Sequence, residues 1–544
     1  MPTIPQEISQ STQTLTDNAT IVEQFAQGAA NTFIPVRGGT LRPLLYWQGT
    51  FQNKVTELAQ PYVDQLVQAN QVADSKVQAA SDSAAAANQS AQEAAASAAS
   101  VDFPTRLAEL NAQQTRLARS LSIIGDHGQS MHFDFLRQAF ALGNLEGLNR
   151  TLSFAELFPD FTRESPKWVF DATGTLVEVG IDEPAFDHDP LTGEPLGPLI
   201  ERSVTNRLLW SRSFGNSEWI RTRADIEENV ALAPDGSMSA DKLVASSVNG
   251  QHIVQQMLTL PANADQSLAI YVKAGEYSKV RIYTGNFGAW STISTLSFDL
   301  ANAQVISGNG GFEPLKDGWF RIWTTGVTGD GSAPNALSVS PMNDSGELDF
   351  AGNDVDGLYI WQADIIDGKE PSSPILTEGA PLARAADNLG RLMGDEYRQD
   401  EGTLVMSYSP PALSQGNTPF ICSINAGTHN NSMSLVFHNS TLTAVNYAEM
   451  RADGFPVVYF GTGSTAFGPF EKNAIRYSPD GSLTLAKNGD LFTATGEPLS
   501  TLGLNNLILG GRRQSTANNI NGHLHYLLYI PRAVSDGKIQ ELIA

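Results

Sequence analysis

One cysteine, Cys422, stands in a chain of 544 residues. No intramolecular disulfide is open to it, and zinc sites built from several thiolates are excluded. Long apolar runs are also missing. No stretch approaches the roughly 18 residues that a membrane-spanning helix needs. The N-terminal MPTIPQEISQSTQTLTDNAT lacks the basic-then-apolar layout of a signal peptide. Basic charge is scarce: 34 Lys and Arg stand against 58 Asp and Glu, a formal net charge of −24. Up to Arg150 there are 9 basic and 13 acidic residues, which leaves 25 and 45 for the remainder. The acid surplus therefore sits in the later part, where it repels phosphate backbones and argues against nucleic acid as a partner. No Gly-x-Ser-x-Gly elbow, HExxH, phosphate-binding loop or dinucleotide fingerprint occurs. No cofactor and no metal is expected.

What is present divides into two regimes. The length predicts three or four structural units. From Ala59 onward, small or apolar residues recur at Tyr62, Leu66, Ala69, Ala73, Val77, Ala80, Ala84, Ala87, Ala91, Ala94, Ala98 and Val101. The steps alternate three and four, with one extra four before Val77, which is a heptad seam with a stutter. After Pro104 a second seam runs through Leu107, Leu110, Gln114, Leu117, Leu121 and Ile124, closed by Gly125 and Gly128. These stripes predict a helical stalk over 59–125 that associates with copies of itself, with Gln114 setting its register. Upstream, TFIPVRGGTLRPLLYWQGTFQNK has no clear period; a docking element and a loop-rich cap both fit it. Beyond Phe161 the period changes to two. Runs such as SLAIYVKAG, KVRIYTG, LYIWQADI, GTLVMSYS and LHYLLYIP alternate between turn signals such as Asp235-Gly236, Asn309-Gly310, Asp317-Gly318, Asn488-Gly489 and Asn521-Gly522. That pattern predicts β-sandwiches.

Three stretches resemble sequences of tailed-phage structural proteins. FTRES through RSVTNRLLWS, residues 161–211, resembles the segment that leads into a carbohydrate-binding-like sandwich in phage fibres. ALAPDGSMSADKLV, SLAIYVKAGEY, KDGWFRIWTT and GLYIWQADI resemble that sandwich itself. RYSPDGSLTLAKNGD, LGLNNLILGGRR and NINGHLHYLLYIPRAVSDGKIQELI resemble a concanavalin-like or laminin-G-like jelly roll. The resemblance implies a virion-associated, homotrimeric protein assembled in the host cytoplasm. The expected fold class is thus multidomain: an N-terminal α-helical coiled coil, trimeric, followed by two all-β sandwich (jelly-roll) domains. The expected divisions are 1–58 virion-anchoring region, 59–125 coiled-coil stalk, 126–205 connector, 206–385 carbohydrate-binding-like sandwich and 386–544 laminin-G-like sandwich.

No catalytic constellation emerges, and the chain is expected not to be an enzyme. Glu347 with Asp349 and Asp354 with Asp356 lie in NDSGELDFAGNDVDG, which has the composition of a solvated loop. Asp187, His188 and Asp189 are adjacent on an extended chain and point to alternate faces, so they suit a turn better than a triad. Binding is the better candidate, because sugar rings stack on aromatics and their hydroxyls meet Asn, Asp and Arg. Candidate platforms are Trp219, Tyr277, Tyr283, Phe287 and Trp290; Trp319, Trp323 and Trp361 suit a core. In the last module His429, Asn430 and Asn431 form one polar tip, and Arg512, Arg513 and Gln514 another, the arginines suiting anionic groups. Self-association is assigned to Leu66, Ala73, Val77, Ala84, Ala91, Ala98, Leu107, Leu110, Gln114, Leu117, Leu121 and Ile124. The expected function is a tail fibre that attaches to host polysaccharide or lipopolysaccharide, its N-terminal region contacting other virion proteins. A decorating protein of the capsid or tail, without glycan binding, and a glycan depolymerase are the alternatives.

Overall fold

The computed structural model describes residues 131–544, apart from 145–146, 287–293, 329–334, 410–418, 440–443, 462–469, 497, 499–501 and 513–518, together with the isolated positions Val67 and Gln71. The residues from 131 onward belong to the second of two compact units, Arg116–Ala544. They are nearly all β, with two short α-helices, Phe154–Leu157 and Asp536–Ile543.

This corrects the expected fold class. No coiled coil precedes the sandwiches among the described residues. The residues from Leu66 to Ile124 assigned to self-association lie outside them. The physical weakness of that expectation is its alanine seam, which removes little apolar area per residue and gives an isolated helix small stability.

Two sandwiches are present among the described residues. In the C-terminal one, the first sheet orders its strands Gly147–Leu152, Ala139–Asn144, Met131–Asp134, Gly522–Ile530, Gly402–Tyr408, Glu471–Tyr477, Ser482–Lys487 and Asp490–Thr495. The second runs Leu389–Leu392, Asn506–Leu509, Phe420–Asn425, Ser432–Asn439, Ala444–Ala452 and Phe455–Gly461. The first three strands among the described residues are thus part of the last sandwich: Met131 faces Tyr529 and Asp134 faces Tyr526 across an antiparallel ladder. Phe133, Phe135, Phe140 and Phe158 share one core with Leu404, Ile475 and Leu527.

The chain then departs, builds the other sandwich and returns. The outgoing strand Val204–Asn206 pairs antiparallel with the returning strand Leu382–Arg384. The first sandwich is therefore inserted between two parts of the second. One of its sheets orders Ala224–Leu232, Met238–Ala245, Gly357–Asp367, Asp265–Lys273, Trp319–Val327 and Gly311–Pro314. The other orders Gln304–Gly308, Ser294–Asp299, Lys279–Asn286, Asn335–Met342, Ile253–Leu258 and Ile220–Thr222. Alternation along Asp265–Lys273 sends Leu268, Ile270 and Val272 inward and Tyr271 outward. Outside, Tyr271, Trp319 and Trp361 are covered by Phe170 and Leu176 of the hairpin formed by Lys167–Phe170 and Leu176–Val179. The tryptophans at 319 and 361 are buried as expected of core residues, though beneath a hairpin rather than between the sheets.

A buried ion cluster sits where the chain leaves and re-enters the C-terminal sandwich. Lys167 Nζ bonds Asp387 and lies 3.2 Å from Glu201. Arg384 reaches Glu201 at 2.6 Å, and Arg163 reaches Asp387 at 3.2 Å. Every side chain of this set is at most 3% exposed. Burial alone would push the Glu201 carboxyl up. Arg384 and Lys167, with the Ser373 hydrogen bonds, outweigh it and hold the group well below the ordinary carboxylate range.

Asp364, in the inserted sandwich, shows the opposite balance. Its Oδ1 accepts from Ile375 N at 2.9 Å, Asn206 Nδ2 at 3.0 Å and Gln362 Nε2 at 3.1 Å. Its Oδ2 has no hydrogen-bond partner, and Arg321 stays at 3.7 Å. Burial pushes this carboxyl up to about 6 despite the arginine. The folded state then holds the proton more tightly than the unfolded chain. The stability this gives is complete below about pH 4 and is lost as pH rises through about 6. Asp364→Asn keeps the accepting oxygen and removes the ionisation. It is expected to raise stability at pH 7.5 by about 2 kcal/mol and to flatten the pH dependence between 4 and 7. Urea unfolding of both proteins at pH 5 and 7.5 checks this. Asp241, likewise pushed up to about 6 by burial, leaves part of the slope in the variant.

Candidate functional site

Residues of two distant loops predicted to bind meet on the outer face of the second sheet of the C-terminal sandwich. Cys422, Ile424, Met433, Leu435, Ala448, Met450, Leu507 and Leu509 point into the core. The intervening residues therefore face outward, and the ladder sets Ile508, Ser423, Ser434 and Glu449 in one row. A bulge between Phe420 and Cys422 turns Phe420 to that outer side, where it joins Val436 and Tyr447, while Ile421 stays in the core.

Phe420 is the anchor of the site. The Arg512 guanidinium lies 5.2 Å from its ring centroid, and the His429 ring meets it edge-on at 5.2 Å. His429 Nε2 also lies 3.4 Å from Glu449, which pairs with Arg451 at 2.8 Å. Burial would push Glu449 up, but His429 and Arg451 together hold its carboxyl below the ordinary range. Glu449 is thus neutralised locally. Arg512 is not: its Nε is buried without a hydrogen-bond partner, and it has no carboxylate partner among the described residues. Neighbouring guanidiniums are committed, Arg163 to Asp387 and Arg391 to Glu396 at 2.6 Å.

Beside Arg512 opens a cleft of about 790 Å³. Ile508 and the edge-strand residues Gly390 and Leu392 give it an apolar side, with Leu392 64% exposed. Asn388, Asn506 and Asn519 give it amides, and Asp160 and Glu164 stand at its rim. A cleft of this kind offers an apolar surface to a ring face and a fixed cation to an anionic substituent.

The other expected residues fall elsewhere. Trp219 is corrected from platform to core: it is 1% exposed, packs on Phe214 at 4.7 Å, and its indole N–H donates to Trp210 O at 3.0 Å. Tyr277 is half-buried against Phe350 at 5.3 Å rather than presented for stacking. Asn430 and Asn431 join two hairpin tips. Gly454 N donates to Asn430 O at 2.9 Å, and Asp453 N donates to Asn431 Oδ1 at 2.7 Å. Phe287, Trp290, Arg513 and Gln514 lie outside the described residues. Asp189 Oδ1 accepts from Leu191 N and Thr192 N, forming a turn, whereas Asp187 pairs with His523 at 2.9 Å. Glu347 accepts from Asn343 Nδ2 within its own turn. Among the described residues no group of three or more His, Cys, Asp or Glu is placed to hold a metal ion. Sequence reasoning missed Phe420, Glu449 and Arg451. Phe420 carried no signal, because only the bulge decides which side it faces.

No protein-family model matches this chain, and no curated protein does. Solved structures give matches of low score. The carbohydrate-binding module CBM40 of a Ruminococcus gnavus sialidase, bound to α2,3-sialyllactose, matches at 21% identity and a TM-score of 0.24, over 27% of this chain and 84% of that one. Domains LG4-5 of the mouse laminin α1 chain match at 11% identity and a TM-score of 0.19, over 53% and 90%. A putative carbohydrate-binding protein of Bacteroides ovatus matches at 10% identity and a TM-score of 0.21, over 55% and 81%.

Proposed function

We propose that this chain is a glycan-binding protein whose C-terminal sandwich takes an anionic sugar at Arg512, and that it serves as an appendage of a tailed-phage particle. The observation that carries the binding reading is the guanidinium of Arg512, held over Phe420 at 5.2 Å, without a carboxylate partner among the described residues and adjoining a cleft. A planar guanidinium pairs with a carboxylate through two parallel hydrogen bonds, and the pairing strengthens where water is displaced. Leu392, exposed at the edge strand, would receive the apolar face of the ring. The phage role is supported by the sequence resemblance of three stretches, 161–211, 214–375 and 403–542, to virion proteins. Mass spectrometry of purified particles with immunogold labelling tests it, and absence of the chain from particles contradicts it.

A panel of carboxylated and neutral oligosaccharides titrated against the full chain tests the binding reading. Carboxylated members are expected to bind and to weaken as salt rises. Arg512→Ala is expected to weaken them about 10- to 100-fold, the worth of a charged hydrogen bond. Affinity for acidic glycans unchanged by Arg512→Ala contradicts the proposal.

A further inference from the structure

The inserted sandwich carries a second polar face that the Arg512 site does not use. Val254, Val280, Ile282, Leu296, Leu337 and Val339 fill its core. The residues between them face away from that core. Register then sets Gln255, Ser338, Tyr283 and Thr295 in one row across four strands, and Ser340, Arg281 and Ser297 in the next. The Arg281 guanidinium lies over Tyr283 at 5.4 Å and donates to Gln251 Oε1 at 3.1 Å. Ser338 Oγ donates to Gln255 Oε1 at 3.2 Å.

Three polar atoms of this face have no hydrogen-bond partner among the described residues. Ser340 is 1% exposed with its Oγ unpaired, and Thr295 Oγ1 and Arg281 Nε are likewise buried and unpaired. Folded chains leave few such groups unmet, and a cluster of them on one outer face points to an occupant that supplies the missing partners. We infer that this face is a second glycan site, which takes an uncharged, hydroxyl-rich chain lying across the strands.

The chemistry selects that occupant. Sugar hydroxyls both donate and accept, which matches Ser340, Thr295 and Ser338, and Tyr283 offers a ring for stacking. Fixed charge on the face is balanced. The Asp349 carboxylate acts on Arg281, and Lys279 acts on Asp299, which stands opposite it. Among the described residues an acidic polymer would find no unmatched cation comparable to Arg512, and an apolar peptide would find Ile253 and Met257 with Ile220 at the edge strand. The inference does not rest on the Arg512 site.

Neutral linear oligosaccharides titrated into the full chain, with Tyr283→Ala, Tyr283→Phe and Arg512→Ala beside it, provide the test. Wild type is expected to bind them at up to millimolar concentration, the regime of a weak single site. Tyr283→Ala is expected to lose about tenfold and Tyr283→Phe to retain affinity, because the ring face does the stacking. Arg512→Ala is expected to leave neutral binding intact while losing acidic ligands, so the two sites fail separately. Absence of neutral binding in the wild type overturns the inference. So does a loss below about threefold in Tyr283→Ala.

Discussion

Residues 386–544 produced alone are expected to be insoluble, whereas 131–544 is expected to be a folded, soluble protein. The strand Met131–Asp134 lies directly beside Gly522–Ile530 in the sheet, so its removal leaves a central ladder without a partner. Phe133, Phe135, Phe140, Leu142, Phe154 and Phe158 go with it, all buried in the shared core. At about 1.5–3 kcal/mol for each buried side chain, the loss is on the order of ten kcal/mol, which matches or exceeds the whole stability of an ordinary domain. Soluble yield, circular dichroism and gel filtration of the two fragments check this. A monomeric, folded 386–544 would contradict the inserted topology.

The second large effect belongs to the ion cluster at the crossing. Glu201→Ala is expected to lower stability by about 3–5 kcal/mol, the cost of leaving buried charges unmatched. Glu201 accepts from Arg384 Nη1 at 2.6 Å, Ser373 N at 2.8 Å and Ser373 Oγ at 2.7 Å, and faces Lys167. Removing it takes from Arg384 its carboxylate partner among the described residues and leaves Lys167 with Asp387 alone. The sign of its pH dependence also follows. A carboxyl whose folded pKa is depressed stabilises above its unfolded value, near 4.3, and loses that contribution only as pH falls through the lower folded value. The difference between wild type and Glu201→Ala is therefore expected to be equal at pH 5 and pH 8 in urea titrations. A loss below about 1 kcal/mol would show that the crossing is held by packing instead.

The strands were legible from the sequence because a sandwich writes its burial into a period of two. SLAIYVKAG alternates as it should, LYIWQADI alternates on either side of a bulge at Gln362, and Asn488-Gly489 sits where both residues need positive φ, 52° and 86°. The insertion was not legible. Local pattern cannot reveal that Met131 pairs with Tyr529 across nearly the whole described chain. The same limit applied to the site. His429 and Arg512 were recognised singly as polar tips, but only the bulge at Phe420 brings them over one ring. Trp219 misled because an indole satisfied by a backbone carbonyl buries as readily as it stacks. The alanine stripe lies outside the described residues, and seven-residue spacing states where a seam would lie, not how much area it would bury.

The most direct measurement is a crystal structure of the full chain with the tightest-binding carboxylated oligosaccharide. The sugar carboxylate is predicted within about 3 Å of the Arg512 guanidinium, with its ring against Leu392. A ligand bound elsewhere, with the Arg512 face empty, would contradict the account.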